Sequence, residues 1–177
     1  MKHGFLASLL ALAGCASSAP RTLTPAAGPV PKVTTIDRAV SPDRARAAVD
    51  AAGFFYAFWD TGDVTYADRA LASSFVDHTL PRGRPQGPEG VKFASKGFRM
   101  AVPDLRCSIE DLMVVGNEVV ARLVFTGTHT GPFMDKPPTG KAIRFNAIDI
   151  LHVEQGKIVE DWHIEDNVEL LRQLGAL

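Results

Sequence analysis

Apolar and polar positions are distributed very differently in the two halves of the chain. Between Ser41 and about Trp59, Val49, Ala52, Phe55, Tyr56 and Trp59 recur at helical spacing, with Phe54 and Phe58 beside them. So broad an apolar surface predicts a helix buried on more than one side. Ser41-Pro42-Asp43 supplies its start, with Ser as N-cap and Pro at the first turn. Asp60-Thr61-Gly62-Asp63 breaks the pattern, and a shorter helix is predicted from Asp63 to Ala72. A brief extended segment follows at Phe75-Val76-Asp77-His78, then a Gly/Pro loop from Pro81. A third helix is predicted from Pro88 to about Met100, with Val91, Phe93, Ala94 and Phe98 on it. From Cys107 onward the period changes to two. Cys107 to Val115 and Glu118 to His129 read as a hairpin around Gly116-Asn117, and residues 127 to 140 as a long Gly/Pro loop. Helices first and paired strands afterwards predict an α+β domain, with three N-terminal helices packed on one face of a curved antiparallel sheet.

The last two strands carry the chemistry. They run from Lys141 to Val153 and from Lys157 to Asp166, with Glu154-Gln155-Gly156 between them. A three-residue loop with Gly156 in the third, left-handed position pairs Val153 with Lys157. Odd-numbered residues of both strands then share a face, with Asp149 opposite Asp161 and diagonal to His163. A two-residue Gln155-Gly156 loop would shift the register by one and set Asp149 opposite Trp162. The odd face holds Phe145, Ala147, Asp149, Leu151, Asp161, His163 and Glu165. The even face holds Ile148, Ile150, Ile158, Trp162 and Ile164, which would make an adequate core by itself. If the even face pointed inward, the acids and His163 would form a solvated surface. Facing inward themselves, they would form a site suited to moving protons, because a buried carboxyl beside an imidazole can be tuned near neutrality. His78 or His163 is then a candidate base, and protonated Asp149 or Tyr56 a candidate donor to an oxyanion.

Composition adds limits. At 177 residues with a net charge of -1, the chain is expected to form one domain and gives no sign of a nucleic-acid partner. No internal repeat, phosphate-binding loop, dinucleotide fingerprint or zinc spacing occurs, and the five histidines and scattered acids lack a metal-ligand spacing, so no metal is expected. The N-terminus stands apart. Met1-Lys2-His3 precedes the apolar run Phe5–Leu12, which is too short to span a bilayer but suits a signal-peptide core. It closes in Leu12-Ala13-Gly14-Cys15, which resembles a bacterial lipobox whose Cys becomes the lipid-bearing first residue. The implied plan is a signal peptide over 1–14, lipidated Cys15 with a flexible tether over 15–41, and a domain over 42–177. The expected address is the outer membrane, facing the periplasm, with cleavage after Ala16 or Ala19 to give a soluble secreted form as the alternative. Cys107, in a strand-like setting, reads as a small buried hydrophobe.

The order of elements, together with Trp59-Asp60-Thr-Gly-Asp63, Asp77-His78, Gly127-Thr-His-Thr-Gly131, Pro137-Pro-Thr-Gly-Lys141, Gly156-Lys-Ile-Val-Glu160 and Trp162, resembles the SnoaL-like polyketide cyclases, also called ester cyclases. The resemblance runs from about Pro42 to the C-terminus. It implies the cone-shaped α+β barrel of the nuclear transport factor two-like superfamily, a homodimer, a small-molecule substrate and cofactor-free acid–base catalysis. It also implies catalytic roles for Asp149, His163 and His78. The side-chain types of Asp149 and His163 are exchanged relative to the cyclase pattern. Tyr56, Trp59, Phe145 and Asp161 are expected to bind substrate. A non-catalytic binding or assembly module of the same fold is the alternative. His129 is expected to tie its loop and Asp166 to cap the last helix. His152 is expected on the even face, and Arg122 is left open between cavity and outer surface.

Overall fold

The computed structural model describes residues 23–177. The signal-peptide and Cys15 expectations fall outside the described residues. The elements in chain order are β1 (Val33–Ile36), α1 (Pro42–Thr61), α2 (Val64–Ala70), β2 (Leu71–Asp77), α3 (Pro88–Ala101), β3 (Arg106–Val115), β4 (Glu118–Thr128), β5 (Ala142–Glu154), β6 (Lys157–Glu165) and α4 (Asn167–Gln173). The class is α+β, as the pattern predicts. Helix α1 starts on Ser41, whose side chain accepts from the Arg44 N–H, and stops at Gly62, which takes the left-handed conformation at φ 79°. Ala45, Ala48, Val49, Ala52, Phe55, Tyr56 and Phe58 are all buried. The helix therefore runs through the core, as its broad apolar surface requires.

One six-stranded sheet has the order β1-β3-β4-β5-β6-β2. Its centre, β3 to β6, is the expected antiparallel meander. Both edges differ from expectation: β1 runs parallel to β3 and β2 parallel to β6, so the sheet is mixed. It is also open, ending at β1 and β2, and the cone is completed by helices. The reason is connectivity. Neither edge strand reaches its partner by a hairpin; helices intervene, which is what parallel pairing demands.

The tether expected up to Ser41 is shorter in the structure. Leu23 packs on the core, Arg46 Nη1 donates to the Thr24 carbonyl at 2.6 Å and the Ala26 N–H donates to Asp50 at 2.9 Å. Gly53 of α1 lets this segment lie flat, since a Cβ there would stand 2.4 Å from Pro25. Backbone N–H and C=O groups in 33–36 then pair with β3. The Pro/Ala/Thr composition hides this because four residues of edge strand leave no periodicity to read.

The β5–β6 hairpin corrects the expected register. Gln155 and Gly156 both have positive φ, 49° and 75°, and Glu154 pairs with Lys157. The loop therefore has two residues in a primed turn. Such a turn alone would put Asp149 opposite Trp162. Instead a bulge intervenes: Val153 faces Ile158 and His152 faces Glu160, which leaves Val159 as an extra residue. Beyond it odd pairs with odd, two positions away from the expected register. Asp149 stands opposite His163, Leu151 opposite Asp161 and Ala147 opposite Glu165. The odd face is inward: Ile143, Phe145, Ala147, Asp149, Leu151 and Val153 are buried, whereas Ile148, Ile150, Trp162 and Ile164 are exposed.

Candidate active site

The inward face of β5 and β6, the end of β2, helices α1, α3 and α4, and the loops at 81–84 and 133 enclose a cavity of about 250 Å³. One wall is aromatic. Trp59 meets Phe125 edge to face, Phe125 stacks on Phe145 at 5.2 Å between centroids, and Phe98 sets its edge against both Phe145 and Phe133. The other wall is polar, with Asp77, Arg84, Asp149, Asp161, His163 and Glu165. A planar apolar body bearing one polar edge fits such a two-sided space.

His163 is the hub of the polar wall. Its Nδ1 lies 2.7 Å from Glu165 Oε1 and its Nε2 lies 3.2 Å from Asp77 Oδ2. The Thr79 hydroxyl accepts its backbone N–H at 2.8 Å. Arg84 Nη2 donates to the same Asp77 oxygen and stands 3.2 Å from His163 Nε2. Nε2 cannot donate to Asp77 and accept from Arg84 at once, so the two carboxylates decide its state. Burial works against a charged imidazole, but the bonds to Asp77 and Glu165 prevail and push the His163 pKa to about 10. For Asp77 burial acts upward, yet His163, the Thr79 N–H and Arg84 hold it below the usual carboxylate range. Glu165 is likewise raised by burial and brought below its ordinary value by His163. At neutral pH the group is two cations against two anions. His163 is therefore a standing imidazolium and not the base the sequence suggested.

Asp149 is the opposite case. It is 5 % exposed, and burial pushes its pKa up to about 7, while the His163 charge and the Tyr56 hydroxyl pull the other way. Asp149 lines the cavity together with Phe125 and Phe145, and its pairing partner across the two strands is His163. Asp161 is also buried, and burial first, then the Asp149 charge, raise it well above the ordinary value.

Trp59, Phe145, Asp149, Asp161 and His163 line the cavity together. Two sequence expectations are corrected. His78 points outward, stacked flat on Trp162 at 4.3 Å and 2.6 Å from Glu160. Alternation along β2 explains it: Phe75 and Asp77 are buried, so His78 belongs to the other side. Tyr56 is wholly buried behind the wall and does not line the cavity. Its hydroxyl approaches Asp149 without good hydrogen-bonding geometry and has no partner among the described residues.

Asp77 and Arg84 escaped the sequence reading. The spacing of Phe75 and Asp77 carries a signal for the first; nothing local marks Arg84 in its loop. Gln86 secures that loop, its Oε1 accepting the Asp77 and Gly87 N–H groups at 2.8 Å each and its Nε2 donating to the Asp77 carbonyl at 2.9 Å. Other residues lie outside the site. His129 is buried and bonds Thr139 Oγ1 at 3.0 Å, tying its loop. Asp166 caps α4 by accepting the Glu169 N–H. Arg122 pairs with Asp111 on the outer face at 2.6 Å, and His152 lies by Glu154 at 3.5 Å. Cys107 is buried, and burial raises its thiol pKa well above the ordinary value, which removes it as a nucleophile.

An acid-lined, aromatic-walled cavity inside an α+β cone of the nuclear transport factor two-like type defines a class, and comparison with known proteins gives its name. Residues 49–174 match the family model of the SnoaL-like polyketide cyclases, and the chain belongs to that family. A crystal structure of a Bacillus cereus protein provisionally assigned as a polyketide cyclase shares 52% identity over 89% of this chain and 99% of its own, with a TM-score of 0.80. IdmH of Streptomyces antibioticus, provisionally assigned likewise, shares 32% identity over 72% of this chain and 98% of its own, with a TM-score of 0.65. TsrD of Streptomyces laurentii shares 29% over 78% and 99%, with a TM-score of 0.68. No protein of curated function matches the chain significantly.

Proposed function

We propose that the protein is a cofactor-independent acid–base catalyst, a cyclase or isomerase acting on a small organic carbonyl compound. One observation carries this reading: Asp149, buried against an aromatic wall, stands directly across from an imidazolium that two carboxylates keep charged. A buried carboxyl poised near neutrality in an aromatic-walled cavity is suited to remove a proton from the carbon beside a carbonyl. The C–H electron pair moves into the carbonyl, giving an enol or enolate. That species can be reprotonated at a different carbon, which is isomerisation, or can attack a second carbonyl, which closes a ring. The His163 charge favours the developing oxyanion. The provisional cyclase assignment of the Bacillus cereus and Streptomyces antibioticus relatives supports the same reading.

The test is α-deuterium exchange by NMR on a panel of two-ring enolisable ketones, 2-tetralone among them. The rate above buffer should rise as pH passes through about 7, where Asp149 becomes a carboxylate. A panel that exchanges no faster than in buffer would refute the reading and favour a binding module.

We propose that the mature protein is a lipoprotein anchored through Cys15 to the outer membrane, supported by the Leu12-Ala13-Gly14-Cys15 motif that closes an apolar leader. Metabolic labelling with an alkynyl fatty acid should mark the wild type and not Cys15→Ser, which should move to the soluble fraction. An unlabelled wild type would remove the anchor. We also propose a homodimer covering the outer sheet face, where Ile148, Ile150, Trp162 and Ile164 form an exposed apolar patch. Light scattering should give twice the chain mass at micromolar concentration, and Ile164→Lys should halve it. A monomeric wild type would contradict this.

A further inference from the structure

The acids of the polar wall are not equivalent. Asp77 receives Arg84, the Thr79 N–H and His163. Glu165 receives His163 Nδ1. Asp161 receives none of these. It is 4 % exposed, its Oδ1 is buried, and no donor among the described residues reaches that oxygen. Its neighbours make ionisation harder still. Across the parallel pairing with β2, Asp77 stands directly opposite it, and Asp77 is an ionised, well-bonded carboxylate. Across β5 it faces Leu151, with Asp149 one diagonal step away. The cation that acts on it is His163, two residues along the same strand, and both of its ring nitrogens are committed to Asp77 and Glu165. Tyr56 of α1 approaches from the core as an uncharged phenol. Burying a carboxylate without a donor, opposite a like charge, is costly on both counts, whereas a carboxylic acid there costs little.

We infer that Asp161 is the acid of this site: it keeps its proton at neutral pH and gives it to the ligand's carbonyl oxygen while Asp149 takes a proton from the adjacent carbon. The assignment rests on the acid–base reading above and deepens it. In the forward step the C–H bond breaks, its electron pair forms the C=C bond of the enol, and the carbonyl π pair takes the Asp161 proton. Asp149 ends as the acid and Asp161 as the carboxylate, with nothing oxidised or reduced. One proton passed back across the diagonal restores the site. On an antiparallel pair that diagonal is about 7 Å between backbone positions, room for an oxygen and its neighbouring carbon between two carboxyls. With Arg84 and His163 set against Asp77 and Glu165, the polar wall carries no net positive charge among the described residues to draw an anionic ligand. The substrate class is a neutral ketone.

Two measurements test this on the full folded chain. Carboxyl ¹³C NMR should show Asp161 protonated at pH 7 while Asp77 and Glu165 are ionised, with the Asp161 signal shifting when 2-tetralone is added. In the exchange assay Asp161→Asn, which keeps the shape and a hydrogen-bond donor but has no proton to transfer, should lose about a hundredfold. Asp161→Ala, which keeps neither donor nor acid, should lose at least as much. An ionised Asp161 at pH 7, or an Asn variant within about tenfold of wild type, overturns the inference and leaves Asp149 as base untouched. A wild type that exchanges no ketone sinks the acid–base reading instead, and the proton position measured by NMR still decides whether Asp161 is an acid.

Discussion

Asp149→Asn is expected to lose at least about a hundredfold in α-proton exchange, the lower end of what a positioned base contributes. The amide has the same shape and can still hydrogen-bond, but it cannot accept a proton. Ligand affinity should change little, because Trp59, Phe98, Phe125 and Phe145 supply the apolar contact. The loss should therefore fall on turnover and spare KM. A variant losing affinity in proportion to rate would mean that Asp149 only binds. The assay is exchange of α-deuterated 2-tetralone at several concentrations, read by NMR.

The second large effect is on stability against pH. Asp149 has an ordinary value of 3.8 and stands at about 7 in the fold. The folded state thus holds this proton more tightly than the unfolded chain. The stability so gained is complete below pH 3.8 and is lost as pH rises through 7. His163 moves from 6.5 to about 10, so its contribution is complete below pH 6.5 and lost as pH rises through 10. Asp77 and Glu165, both held below their ordinary values, act in reverse: their contribution is present above the ordinary carboxylate range and lost as pH falls. Asp161, which burial raises well above its ordinary value, acts in the same sense as Asp149, so stability should be greatest in mild acid and decline towards alkaline pH. Thermal melts should show it. Asp149→Asn removes the part of the slope between 3.8 and 7 and should be more stable than wild type at pH 8 by a few kcal/mol, roughly several degrees in Tm. Gaining stability while losing activity is the signature expected of a residue strained for function. An Asn variant that melts lower than wild type at pH 8 would contradict this account of Asp149.

How far the sequence revealed this site can be traced residue by residue. Helix α1 was legible from its capping residues and apolar width, and the odd face of β5 from strict alternation. The inward direction of that face was not, because both faces are apolar enough to be a core. The structure shows why both are: one holds the cavity and the other is the exposed patch. The register failed for a physical reason. A primed two-residue turn and the Val159 bulge shift the pairing in the same direction, and a bulge leaves no mark in composition. Asp77 was present in the alternation from Phe75, but the neighbouring histidine drew the chemistry to position 78. Arg84 and the docked strand β1 depend on contacts distant in sequence, which no local pattern encodes.

The most direct measurement is the titration of the Asp149 side-chain carboxyl by ¹³C NMR in the wild-type protein. The site described here requires a midpoint near 7, with His163 remaining an imidazolium throughout that range. A midpoint near 3.8, or a His163 ring that loses its proton below pH 7, would mean that this cavity holds ordinary charges and no poised base.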